Sequence, residues 1–168
     1  MPFWLYTSPL SRAMETTQII SETLTVPLTS LKELGEANAG VLEGLSDLEM
    51  HQHHPEFPKR WAQDNSTVQM PGGESLPQVQ KRAWRAVNLL TGKHRDDTPV
   101  AVIHNFTIQT IICTVLEMPL RNARRLCLNV GSIVRLELSP SQMTLASLNE
   151  TSHLQSIGAT KDDPTSQE

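Results

Sequence analysis

The chain has 168 residues and a formal net charge of -4, with 38% apolar and 4% aromatic residues. This length suits a single domain with a sizeable core. The acidic balance gives no overall attraction to nucleic acid or to anionic membranes, so we expect neither as a partner. Without a signal-peptide pattern or an apolar run long enough to span a bilayer, we expect a cytoplasmic protein with reduced Cys113 and Cys127.

The first part of the chain predicts a strand followed by a helix. Residues 3–6 are apolar and suit the strand. Ser8 and Pro9 are expected as the N-cap and the first helical position, because helices favour this combination at their start. Residues 28–34 suit a short strand that leads into a loop over residues 35–44.

The middle of the chain predicts two helices separated by a long loop. Ser46 and Glu49 have capping-box spacing, which indicates a helix over residues 46–53. Residues 55–75 contain three prolines and two glycines, so we expect a long irregular insertion there. Ser75 then caps a second helix, whose apolar face consists of Val79, Ala83, Ala86, Val87 and Leu90.

The last part predicts a strand–helix unit and a hairpin. Residues 100–103 suit a short buried strand, His104 follows it, and apolar residues at helical spacing come next. Residues 132–138 and 143–148 are typical of a hairpin. Strands that alternate with helices predict an α/β domain over residues 1–154, with helices on both faces of the sheet. The polar composition of residues 155–168 predicts a disordered tail.

Arg12 and His104 are candidate site residues because each follows a predicted strand. Ligands of open α/β sheets bind beyond the carboxyl ends of the strands. Arg12 falls in the opening turn of a helix, where free N–H groups favour an anion, and its guanidinium matches phosphate or carboxylate oxygens. The alternative is a solvated arginine and a structural histidine.

Two loops contribute further candidates. In EANAGVLEG, residues 36–44, Glu36 and Glu43 flank a glycine, and a loop carboxyl can donate a proton during catalysis. In PGGES, residues 71–75, the glycines permit close backbone approach to a ligand. Without further context an exposed acidic turn is the preferred interpretation of the first loop, and a turn with a helix cap explains the second loop equally well.

In this order the four segments resemble the histidine phosphatase superfamily, which includes the phosphoglycerate mutases. SPLSRA resembles the segment with a phosphate-binding arginine, and EANAGVLEG resembles the loop whose first glutamate donates a proton. PGGES followed by Arg82 resembles a further segment, and VAVIHNF resembles the strand that ends in an active-site histidine. The resemblance covers roughly residues 4–154, and the order of the motifs makes it specific.

The resemblance implies a three-layer, mostly parallel α/β sandwich of the phosphoglycerate mutase type, with no metal or cofactor. It implies hydrolysis or transfer of the phosphoryl group of a phosphorylated small molecule. Arg12, His104 and Asn105 would bind the phosphate, and Glu36 and His104 would be catalytic, with Glu36 protonating the leaving oxygen. Asn105 stands where the family usually has glycine, which narrows the space beside the phosphate but keeps the backbone N–H.

The family's R-H-G segment, which ends its first strand and supplies the nucleophilic histidine, does not occur in this sequence. The sequence begins at what resembles the second strand, so we expect an N-terminally truncated fold with open strand edges. Three explanations are open: part of a longer enzyme, a noncatalytic phosphate-binding or scaffolding relative, or a homodimer in which two chains complete one sheet.

Overall fold

The computed structural model describes residues 3–139 and 142–155, and within them the strands form two sheets. β1 (Phe3–Thr7) lies between β2 (Leu28–Ser30) and β3 (Thr98–Val102), and both neighbours run parallel to it. β4 (Ile133–Leu138) and β5 (Met143–Glu150) form a separate antiparallel hairpin. The α/β class and the hairpin confirm the sequence prediction.

The helices of the described residues are α1 (Ser11–Leu24), α2 (Asp47–His53), α3 (Glu56–Asp64), α4 (Leu76–Lys93), α5 (Asn105–Val115) and α6 (Ser152–Gln155). Short 3-10 helices lie at Lys32–Leu34, Gly40–Leu42 and Leu120–Arg125. Apart from Gln155, which ends α6, the predicted tail lies outside the described residues. Within the described ranges, no helix has the length and apolar content needed to cross a membrane.

β1 is the buried centre of the parallel sheet. Leu5 and Tyr6 are only 2% and 3% exposed, and successive strand residues point to opposite faces. On one face Tyr6 packs with Leu34 and with Ala86 and Leu90 of α4. On the other face α1 lies along the strands. Burial on both faces is typical of a parallel strand and explains why residues 3–6 form an unbroken apolar run.

The predicted irregular insertion over residues 55–75 is wrong, because α3 occupies much of it. Pro58 lies in the first turn of this helix, where a missing N–H removes no helical hydrogen bond. Phe57 and Trp61 are four residues apart, share one face and stack with 5.4 Å between ring centroids. That face packs on a buried cluster consisting of Ala37, Leu42, Met70 and Val79.

The predicted start of the first helix is also wrong. α1 begins at Ser11, with Leu10 as its N-cap. Ser8 instead extends the sheet, since its N–H donates to the carbonyl of Val102 at 3.0 Å, while its hydroxyl accepts from the N–H of Leu10 at 3.2 Å. The predicted capping box of Ser46 and Glu49 is confirmed, and Ser75 is the N-cap of α4, as predicted.

Leu76 and Leu89 offer a matched test of the α4 packing, because they are 0% and 56% exposed on the same helix. Leu76→Ala should lower the free energy of unfolding by about 2–5 kcal/mol, since it removes buried methyl groups and leaves a cavity. Leu89→Ala should change it by less than about 0.5 kcal/mol. Urea unfolding followed by circular dichroism measures both, and equal effects would contradict the described packing.

Candidate functional site

The loops that follow β1 and β3 leave the sheet side by side. The two strands pair in parallel to their last residues, with Thr7 opposite Val102. α1 and α5 therefore begin next to each other, at the sheet edge where α/β proteins bind ligands. The structure thus brings the segments of Arg12 and His104 to the same edge.

Arg12 lies exposed in the first turn of α1. The N-cap residue Leu10 provides no side-chain acceptor for the first N–H groups of this helix. A helix start of this kind carries partial positive charge, and the guanidinium adds a full charge to it. The arrangement therefore suits an anion, as the sequence predicts for this residue.

His104 is the N-cap of α5 and is 8% exposed, and Asn105 follows it as the exposed first residue of the helix. Burial lowers the pKa of His104, the charges of Arg12 and Arg82 lower it further, and Glu36 opposes them. The imidazole is therefore neutral at pH 7, with one N–H to donate. Its Nε2 is buried and has no hydrogen-bond partner among the described residues.

Glu36 binds the start of α5 with its carboxylate. One oxygen accepts from the N–H of Phe106 at 3.1 Å, and the other accepts from the N–H of Thr107 at 3.2 Å and of Ala37 at 2.9 Å. The N–H groups of Phe106 and Thr107 have no partner inside α5, and a negative charge suits the positive end of its dipole. Glu36 therefore lies next to His104 and Asn105, as the resemblance implies, and it caps α5, which the sequence analysis did not predict.

Arg82 holds the loop that carries Glu36. One guanidinium nitrogen donates to the carbonyls of Glu33 and Gly35 at 2.8 and 2.7 Å, and a second donates to the carbonyl of Glu36 at 2.8 Å. The guanidinium also forms a two-point pair with the Glu74 carboxylate at 2.8 and 2.9 Å. Arg82 thus links α4 to the backbone of the site loop.

Glu74 completes this contact from the PGGES loop. Burial would raise the pKa of Glu74, but the hydrogen bonds from Arg82 and from the N–H of Asn38, together with the Arg82 charge, lower it overall. The carboxylate is therefore ionised at pH 7 and pairs with the arginine. In the sequence analysis, PGGES followed by Arg82 resembled one segment of the family. Nothing in their spacing indicated that Glu74 and Arg82 hold the loop that carries Glu36.

The glycines of PGGES do not open a path to a ligand, which corrects the sequence interpretation of that loop. A Cβ on Gly73 would overlap the carbonyl oxygen of Asn38, and one on Gly40 would overlap the carbonyl oxygen of Pro71. The N–H of Glu74 also donates to the Asn38 carbonyl at 2.8 Å. The two glycines therefore allow the PGGES and EANAGVLEG backbones to pack directly on each other.

The other candidate groups of the described residues lie away from this edge or are engaged locally. Glu43 accepts from the N–H of Ala39 at 3.0 Å inside its own loop. Nε2 of His94 lies 2.7 Å from the hydroxyl of Tyr6, and Nδ1 of His51 lies 2.8 Å from the carbonyl of Asp47. Within residues 3–139 and 142–155, no group of three or more histidine, cysteine or acidic side chains is arranged to hold a metal ion.

Comparison with known sequences gives a match over nearly the whole chain. The sequence profile of the Histidine phosphatase superfamily (branch 1) matches residues 2–151. Phosphoserine phosphatase 1 of Hydrogenobacter thermophilus is 25% identical over 150 residues, which cover 89% of this chain and 71% of that protein. The metal-independent phosphoserine phosphatase of Arabidopsis thaliana is 28% identical over 159 residues, which cover 94% of this chain and 65% of that protein.

Solved structures show the same fold. Bacillus stearothermophilus YhfR superposes with a TM-score of 0.85 at 25% identity, covering 90% of this chain and 75% of the other. The mycobacterial glucosyl-3-phosphoglycerate phosphatase Rv2419c gives a TM-score of 0.78 at 23% identity, covering 89% of this chain and 78% of the other. The predicted fold class is confirmed.

Arg82→Ala should lower the free energy of unfolding by about 3 kcal/mol, because it leaves the partly buried Glu74 carboxylate and three loop carbonyls without their donor. Lys81 is exposed on the same helix, so Lys81→Ala is the matched control and should have little effect. Denaturant unfolding of both variants measures the difference. If the free energy of unfolding falls no more in Arg82→Ala than in Lys81→Ala, the Glu36 loop holds its position without the arginine.

His104 should make stability depend on pH. Its folded pKa lies below its ordinary value of 6.5, so between those two values the unfolded chain binds a proton that the folded chain does not. The free energy of unfolding should therefore fall as the pH drops below 6.5, by up to about 1.4 kcal/mol per pH unit from this residue. His104→Asn should remove that slope, whereas His53→Asn, at an exposed position, should keep it. Thermal unfolding between pH 7.5 and 5 tests this, and an unchanged slope in His104→Asn would contradict it.

Proposed function

Because the chain belongs to the histidine phosphatase superfamily, we propose that it binds the phosphoryl group of a phosphorylated small molecule and acts on its phosphomonoester bond. The site is the edge where β1 and β3 end. The observation that carries the proposal is the buried Nε2 of His104, which has no partner within the described part of the chain and lies close to the Arg12 charge. A phosphate oxygen would satisfy that nitrogen and neutralise that charge together.

Three groups would hold the phosphate. Arg12 would bind its oxygens through the guanidinium, and His104 would donate a hydrogen bond from the imidazole, which burial holds in a fixed direction. The N–H of Asn105 is at the first position of α5, and such N–H groups have no acceptor inside the helix. Two adjacent helix starts and an arginine give positive potential where the phosphoryl charge would lie.

Hydrolysis would use Glu36 as the proton donor. As the P–O bond of the ester breaks, the leaving oxygen would take a proton from the Glu36 carboxyl. The phosphoryl group would pass to the nucleophilic histidine that the resemblance places on an R-H-G segment, which this sequence does not contain, and then to water. The half-buried position of Glu36 beside His104 supports this role. Two relatives are named as phosphoserine phosphatases, so a phosphorylated hydroxyl compound such as phosphoserine is the first substrate to test.

A second candidate is phosphate binding without turnover. Both carboxylate oxygens of Glu36 already accept backbone N–H groups, and a carboxyl that donates a proton must first carry one. Three described histidines have recorded partners: His94 bonds the Tyr6 hydroxyl, His51 bonds the Asp47 carbonyl within α2, and His153 bonds the Gly131 carbonyl, so none of the three is placed as a nucleophile. These two observations favour a binding or scaffolding module.

Binding and turnover can be measured on the same preparations. Calorimetry with inorganic phosphate should show that Arg12→Ala and His104→Ala each weaken binding about tenfold or more, because each removes a charge-assisted hydrogen bond. Arg85→Ala changes an exposed arginine of α4 and should leave binding unchanged. If neither site variant weakened phosphate binding, the site would be wrongly assigned.

Hydrolysis of p-nitrophenyl phosphate and phosphoserine then separates the two candidates. Turnover that is lost in both site variants but kept in Arg85→Ala would support the phosphatase. Phosphate binding without turnover, both in this chain and in a version extended upstream, would select the noncatalytic module, whereas turnover only in the extended version would support the phosphatase.

A further inference from the structure

Three aromatic side chains form a row that ends at the candidate site. Phe57 and Trp61 of α3 stack with 5.4 Å between ring centroids. The rings of Trp61 and Phe106 meet edge to face, with centroids 5.9 Å apart and an interplanar angle of 88°. Phe106 lies in the first turn of α5, whose N-cap is His104. The row therefore connects α3 to the helix start at which the phosphate site lies.

Phe106 brings this aromatic row next to the carboxylate of Glu36. The N–H of Phe106 donates to one Glu36 oxygen at 3.1 Å, so the residue that carries the ring also contacts the proposed proton donor. Side chains of an α-helix point back toward its N-terminus. The ring of Phe106 therefore lies toward His104 and Asn105, and not along the later turns of α5.

The three rings are fixed in place and still partly accessible. They pack against the buried cluster of Ala37, Leu42, Met70 and Val79, and Ala37 is the residue that follows Glu36. Each ring is nevertheless only half-buried. A rigid apolar surface binds a ligand without losing conformational freedom of its own. The aromatic row therefore offers a preformed contact surface beside Glu36.

We propose that Phe106 and Trp61 bind the organic group of the phosphomonoester and favour an aromatic group there. This inference rests on the proposed function, because it takes the phosphoryl group to lie at Arg12 and His104. The leaving oxygen must lie within hydrogen-bond distance of Glu36 to receive its proton. The carbon attached to that oxygen then lies next to Phe106, and an aryl or benzyl group extends from it over the rings.

An aromatic group matches this surface better than a small charged group does. Aromatic rings attract each other in offset-stacked and edge-to-face pairs, and both arrangements already occur in the row. A carboxylate in the same place would give up its hydration against ring carbon atoms, which is unfavourable. We therefore expect an aromatic phosphomonoester to bind more tightly than phosphoserine.

The experiment compares phosphonates on the 168-residue chain, because they keep the charged head group while their P–C bond resists hydrolysis. Calorimetry with methylphosphonate and benzylphosphonate, at a pH where both are dianions, measures what the ring adds to the affinity. We expect benzylphosphonate to bind about tenfold more tightly, since the ring adds buried apolar area and ring contacts. Cyclohexylmethylphosphonate has a similar apolar area without an aromatic ring and should bind with intermediate affinity. Equal affinities of the benzyl and cyclohexylmethyl compounds would overturn the aromatic preference.

Variants of the two rings locate the bound group. Phe106→Ala keeps the N–H that donates to Glu36, and Trp61→Leu keeps an apolar side chain on the buried cluster. Each should weaken benzylphosphonate binding about fivefold and leave methylphosphonate binding unchanged, whereas Trp61→Phe retains a ring and should retain the preference. Trp84→Leu is the matched control, because Trp84 is half-buried on α4 and takes no part in these ring contacts. Circular dichroism shows whether each variant is folded, and the phosphonate comparison on the unchanged chain decides the question if one is not.

Arg12→Ala separates a failure of this inference from a failure of the proposed function. If the methyl and benzyl compounds bind equally and Arg12→Ala weakens both, the aromatic preference is wrong and the phosphate site stands. If benzylphosphonate binds as tightly to Arg12→Ala as to the unchanged chain, its ring lies elsewhere on the molecule and the inference is wrong. If neither phosphonate binds the unchanged chain, the phosphate site is wrongly assigned and the inference fails with it.

Discussion

The parallel pairing of β1 with β3 is the constraint from which the site follows. Because Thr7 lies opposite Val102, both strands end at the same level, and the chain turns into α1 and α5 side by side. Two helix starts with unsatisfied N–H groups then lie together, which is unfavourable without negative charge nearby. Glu36 supplies that charge to α5, while α1, with Arg12 in its first turn, has no capping side chain. The uncompensated positive charge is therefore located where an anion would bind.

Long-range polar contacts, rather than the sheet, bring Glu36 to this place. The loop after Leu34 has no strand or long helix of its own, so its backbone carbonyls need donors from elsewhere. Arg82 supplies them from α4, and Glu74 keeps the guanidinium in position and binds the N–H of Asn38. The capping of α5 by Glu36 thus depends on a residue of α4 whose recorded hydrogen bonds go to the Glu36 loop and to Glu74.

The sequence predicts the parts of this molecule that local chemistry determines. The strand and helix around His104, the capping box at Ser46 and the hairpin follow from spacing and capping residues, and the order of the motifs identified the family. The prediction failed where tertiary contacts override local signals. Prolines suggested a loop where Phe57 and Trp61 stabilise α3 by packing on a buried cluster. Glycines suggested ligand access where two loops pack on each other, and no spacing rule showed that Arg82 reaches three carbonyls on the Glu36 loop.

No described strand pairs with the outer edge of β3, and this edge is close to the candidate site because His104 lies two residues beyond the strand. Ile103 lines a cavity between β3 and the β4–β5 hairpin, and the next residue is the buried histidine. A strand paired on one side only has fewer hydrogen bonds to limit its motion than a strand paired on both sides. Because His104 continues the backbone beyond β3 and its Nε2 has no partner among the described residues, the order of that strand affects where the imidazole can meet a phosphate oxygen.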